Sequence, residues 1–122
     1  MDSRQKYFAD NLALLVREVT AVDVRDSGSR ERNHVESRGL FYYVARKVTK
    51  MTTSAIGEYL DQSHATVLYS TDKFPTWMKY NKDLGKSYKQ IMDTIVPAVS
   101  TVVVDVDLAG GKVEFFRGGF RL

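Results

Sequence analysis

At 122 residues the chain has the length of one domain, long enough to bury a modest core without covalent staples. Hydrophobic residues make up 43% and charged ones 27%, the balance of an ordinary globular protein, and the lack of cysteine excludes disulfides and thiolate metal sites. No apolar run reaches the roughly 18–20 residues that span a bilayer, and the charged start M-D-S-R-Q-K is not that of a signal peptide, so a cytoplasmic location is expected.

In chain order, the first element is an amphipathic helix from Ser3 to about Ala21. Phe8, Leu12, Leu15 and Val19 recur at helical spacing, with Asp2 or Ser3 as N-cap and Tyr7 and Leu14 off the stripe. Asp26 to Asn33 is polar, contains Gly28 and has no period, so it reads as a loop. Asn33 and Glu36 have the spacing of a capping box, which predicts a helix from His34 to Lys50 with Leu40, Phe41, Val44, Ala45 and Val48 inward. Gly39 inside it costs about 1 kcal/mol relative to alanine, and it either allows close approach of another backbone or is simply tolerated.

Thr52 or Thr53 caps a short helix ending near Leu60, with Ile56 and Leu60 on its buried side. Asp61, Gln62 and Ser63 make a turn, and Ser63 caps a following helix that opens with His64, Ala65 and Thr66. Val67, Leu68 and Phe74 are expected to anchor that helix to the core, Lys73 to face outward, and Pro75 to break or kink it. Trp77 and Met78 then cross the core before a last helix, Asp83 to Val96, with Leu84, Tyr88, Ile91 and Ile95 inward. Beyond Pro97, T-V-V-V-D-V-D, a Gly-Gly turn and K-V-E-F-F-R read as a β-hairpin. The fold class is therefore mainly α: a helical bundle over residues 1–97 containing a helix-turn-helix at about 53–74, with a hairpin extension over 98–122. A lone hairpin is marginal in water, so it leans on the helices or pairs its edge with a second copy in a homodimer.

Two helices joined by a tight turn, the second opening with small polar side chains, is the geometry of a DNA-reading helix-turn-helix. Net charge is only +3, but Arg25, Arg30, Arg32, Arg38, Arg46, Lys47 and Lys50 face only Asp26, Glu31 and Glu36 within residues 25–50. That segment carries +4, the footprint of a phosphate-contacting surface. His64 and Thr66 are placed to hydrogen-bond base edges at a helix N-terminus, where backbone N–H groups and the helix dipole favour phosphate.

The run Ile56 to Phe74, I-G-E-Y-L-D-Q-S-H-A-T-V-L-Y-S-T-D-K-F, resembles the C-terminal DNA-binding domain of the bacterial replication initiator DnaA. Arg38 to Thr49 is similar to the preceding helix of that family, and Ser29-Arg30-Glu31-Arg32 falls where it has a basic loop. The likeness covers about Ser29 to Val96 and implies a Trp-repressor-like helical fold. It also implies that His64 and Thr66 enter the major groove, that Arg30 lies with Arg32 in a loop reading the minor groove, and that Arg38, Arg46, Thr49 and Lys73 touch the DNA backbone. Lys47 of the basic segment joins these candidates, as do Gln62, Ser63 and Ala65 around the turn. Gln62 stands where the family has arginine, Ser63 where it has aspartate and Ala65 where it has threonine, and the turn is about one residue shorter. An altered reading of the initiator's usual box is expected from these departures.

The initiator's ATPase is not expected here. Gly85-Lys86-Ser87 ends like a phosphate loop, but that motif needs glycine where Tyr80 stands. His34 and His64 are thirty residues apart without metal-ligand spacing, so neither metal nor cofactor is expected, nor any catalytic constellation. The resulting expectation is a non-enzymatic, sequence-specific binder of double-stranded DNA, in replication-origin recognition or transcription regulation, with no membrane or small-molecule partner. The rival is a protein-interaction module using the helical surface and the hairpin edge.

Overall fold

A computed structural model describes residues 2–26 and 28–101 as five helices: α1 (Ser3–Thr20), α2 (Arg32–Val48), α3 (Thr53–Tyr59), α4 (His64–Tyr80) and α5 (Lys82–Thr101). The expected hairpin falls on residues outside those described. Among the described residues no helix is long and apolar enough to cross a membrane.

α1 begins with a capping box: the Asp2 carboxylate accepts from the Gln5 N–H at 2.8 Å, and Gln5 Oε1 accepts from the Asp2 N–H at 3.3 Å. Its buried line is Phe8, Leu12, Leu15 and Val16, with Val19 half-buried at the margin. Each such side chain contributes on the order of 1.5–3 kcal/mol when fully buried. α1 lies across α2 and α5, while α2 packs most closely on α4. Between them sit Leu40, Phe41, Val44, Ile56, Val67, Phe74, Leu84, Ile91 and Ile95, all buried.

Four local expectations are corrected. α2 starts at Arg32, with Glu31 in the N-cap position and no side-chain cap. Glu36 does not turn back to Asn33. Its buried carboxylate takes Arg32 Nε at 3.0 Å and Asn81 Nδ2 at 2.9 Å, tying α2 to the α4–α5 corner. α4 runs through Pro75 without a break as far as Tyr80. Phe74 is buried and Trp77 half-buried on either side of the exposed Pro75. Packing therefore overrides a local cost of about 3 kcal/mol. Leu68 is 46% exposed, because Val67, Ser70 and Phe74 define the buried line of α4 and Leu68 points away from it. α5 likewise continues past Pro97 to Thr101.

Gly39 admits a side chain rather than a backbone: a Cβ there would stand 2.8 Å from the Trp77 ring. The aromatic centre of the bundle is Phe74, with ring centroids 5.0 Å from Tyr43, 6.0 Å from Tyr88 and 6.4 Å from Trp77. It joins α2, α4 and α5.

Candidate nucleic-acid interface

The helix-turn-helix is built by backbone geometry before any side chain reads anything. At the end of α3 the Gln62 N–H donates to the Gly57 carbonyl at 2.7 Å and the Asp61 N–H to the Glu58 carbonyl at 3.2 Å. With Asp61 at φ 57°, these two bonds make a Schellman motif in which aspartate occupies the left-handed position more often held by glycine. Closing the chain so tightly brings the Gln62 carbonyl oxygen to 2.5 Å from where a Cβ on residue 57 would lie. Only glycine fits there.

Ser63 then caps α4. Its Oγ accepts from the Thr66 N–H at 3.1 Å and lies 2.9 Å from the Thr66 hydroxyl. His64, Ala65 and Thr66 occupy the first turn, all solvent-exposed, and His64 Nδ1 lies 3.5 Å from the Thr53 hydroxyl at the start of α3. Thr53 entered the sequence reading only as an alternative cap to Thr52, which is the actual N-cap of α3; its proximity to His64 was not legible, since nothing local links positions eleven residues apart.

The end of α2 reaches the same side. Arg46 Nη1 donates to the Met51 carbonyl at 3.1 Å, holding the connection into α3, while the residue as a whole stays exposed. Lys47 lies over the Tyr43 ring at 5.6 Å. Thr49 is hydrogen-bonded within the protein. Its N–H and hydroxyl both donate to the Ala45 carbonyl, and its Oγ1 accepts from Met51, so its donors are committed within the protein.

Further along α4, Lys73 lies 6.0 Å from the Tyr69 ring centroid. Gln62, Ser63, His64, Ala65, Thr66, Arg46 and Lys47 thus gather at one end of the α2–α4 pair. Arg30, Arg32 and Arg38 are at the other end of α2, which from Arg32 to Arg46 spans about 21 Å. Arg30 is exposed on the loop before α2. Arg32 is exposed and paired with Glu36. Arg38 is only 8% exposed, and its Nη2 donates to the Ser29 carbonyl at 2.8 Å. Through that bond it holds the loop that carries Arg30. The basic segment is therefore two clusters, not one patch.

Comparison with known proteins bears on this arrangement. The family described as bacterial dnaA protein helix-turn-helix matches residues 12–74, from within α1 to the middle of α4. The chain belongs to that family. The DnaA-type match begins further upstream than the likeness read from motifs, and it takes in the second half of α1. The chain is also 30% identical over 89 residues to the chromosomal replication initiator protein DnaA of Picosynechococcus sp. (strain ATCC 27264 / PCC 7002 / PR-6). That alignment covers 70% of this chain and 20% of the initiator, so the chain spans about a fifth of its relative's length. As a DnaA-type helix-turn-helix, the unit described above is a DNA-binding module.

Proposed function

We propose that this chain binds duplex DNA sequence-specifically, entering the major groove with the N-terminal end of α4, in replication-origin recognition or transcription regulation and without hydrolysing nucleotide. The observation that carries the reading is the convergence at one end of the bundle. A capped helix start with exposed His64, Ala65 and Thr66 stands beside the cationic end of α2, within a DnaA-type helix-turn-helix. His64 and Thr66 supply hydrogen bonds to base edges, and Arg46, Lys47 and Lys73 supply charge to phosphates. The Arg30 loop, about 21 Å away along α2, suits an adjacent minor groove roughly half a helical turn, or about 17 Å, along the duplex. Gly85-Lys86-Ser87 lies in the first turns of α5, directly after a helix, whereas a phosphate loop follows a strand.

The test is selection from random duplexes followed by affinity measured at two salt concentrations. Affinity for the enriched site should fall steeply with salt. His64→Ala should cost about 1–3 kcal/mol on that site and relax base preference at one position. Arg46→Ala should weaken binding to all sequences alike and lower the salt slope by about one. A His64→Ala variant that keeps full affinity and selectivity would remove α4 from the reading role.

A further inference from the structure

Leu68 and Tyr69 are large apolar side chains left in solvent, 46% and 61% exposed, on a helix whose other face is well packed. Isolated surface apolar residues are unremarkable, but these two are neither isolated nor randomly placed. At 3.6 residues per turn Leu68 stands one turn above His64, and Tyr69 stands one turn above Ala65 with Lys73 one turn above it. Lys73 Nζ lies 6.0 Å from the Tyr69 ring centroid, the distance of a cation–π contact. Ala65, Leu68 and Tyr69 therefore form a continuous apolar strip along the outer side of α4, beginning at the first-turn residues and bordered by a cation.

From this we infer that Leu68 and Tyr69 are specificity-determining residues that read thymine C5-methyl groups in the major groove. This rests on the proposed docking of α4. The major groove presents four base-edge patterns, and the thymine methyl is the one feature that apolar side chains recognise. Ala65 provides a methyl of its own but leaves the surface shallow, so contact at this depth falls to the larger neighbours one turn on. Lys73, beside Tyr69, reaches the phosphates flanking the same step. The strip thus adds an apolar readout to the polar readout of His64 and Thr66.

The experiment replaces each thymine of a selected duplex, one at a time, by deoxyuridine, which removes the methyl and keeps every hydrogen-bonding group. Wild-type protein should lose about fourfold in affinity at one or two positions, the value of one buried methyl-sized group. Leu68→Ala or Tyr69→Ala should bind the thymine duplex more weakly and lose that sensitivity at its own position, leaving the other thymines unchanged. Thermal unfolding of both variants should match wild type, since neither side chain is in the core. Deoxyuridine without effect at any position, or variants as sensitive as wild type, would overturn the inference while the DNA-binding reading stands. Failure to enrich or bind any duplex would overturn both.

Discussion

At the residue scale the turn between α3 and α4 depends on one missing atom. Gly57 has an ordinary negative φ, so its value lies in the space that a Cβ would take from the Gln62 carbonyl. Gly57→Ala should destabilise the protein by about 1–3 kcal/mol, as overpacking against a rigid neighbour does. It should weaken DNA binding further, because the carbonyl that must move immediately precedes the cap of α4. Chemical denaturation measures the first effect, and a variant as stable as wild type would show that the turn closes otherwise. The sequence displayed this glycine beside Ile56 without explaining it, because the contact joins α3 to backbone five residues on. Three caps were legible for the opposite reason, Ser63 outright and Asp2 and Thr52 each as one of two candidates: all three act on N–H groups within three residues.

At the scale of elements, helix existence and buried faces followed from spacing, whereas the breaks placed at the prolines did not occur. Local rules give Pro75 a cost and a preference. They carry no term for Phe74 and Trp77, which fasten α4 to α2 and α5 on both sides of it. Because Pro75 is exposed and touches no proposed reading residue, Pro75→Ala should restore a backbone hydrogen bond and raise stability, by up to about 3 kcal/mol and less where the bundle already absorbs the strain. A thermal melt shows the sign, and a lower melting temperature would mean that the proline fits α4 better than alanine does. The misplacement of Leu68 has the same origin, since a single-residue shift along α4 separates the core line from the outer strip. Arg38 and Thr49 show the limit for the interface: a basic or hydroxyl residue in a DNA-binding segment also serves to hold that segment in shape. For Thr49 the hydrogen-bond partners, Ala45 and Met51, are close in sequence, whereas Arg38 reaches Ser29 nine residues back, which no local pattern shows.

At the scale of the whole molecule, a polar cluster links α1, α3 and the loop after α1. The Tyr59 hydroxyl donates to Asp10 Oδ1, the Tyr59 ring stacks on Phe41 at 5.6 Å, and Arg25 pairs with Asp23 close by. Burial, with the hydrogen bond to Asp10 and its negative charge, pushes the Tyr59 hydroxyl well above the usual tyrosine range, and Arg25 opposes this only in part. The neutral phenol is therefore the form that the fold favours. Its contribution is complete below the unfolded value, near pH 10, and is lost as pH rises from there through the higher folded value. Tyr59→Phe should cost about 1–2 kcal/mol at neutral pH. It should also remove part of the loss of stability above pH 10, the remainder coming from Tyr42 and Tyr88, which burial raises as well. Parallel stability curves for variant and wild type between pH 8 and pH 11 would show that Tyr59 is not the group involved.

The unbroken course of α4 has one more consequence. Its first turn and its last belong to a single rod, and the far end is gripped, with the Trp77 ring against Gly39 and the Asn81 amide on the Glu36 carboxylate. His64 is about 20 Å from that grip. The near end is held as well, by Val67 and Ser70 in the buried line and by the turn from α3. The direction in which His64, Leu68 and Tyr69 present themselves therefore depends in part on a glycine and a buried carboxylate on another helix.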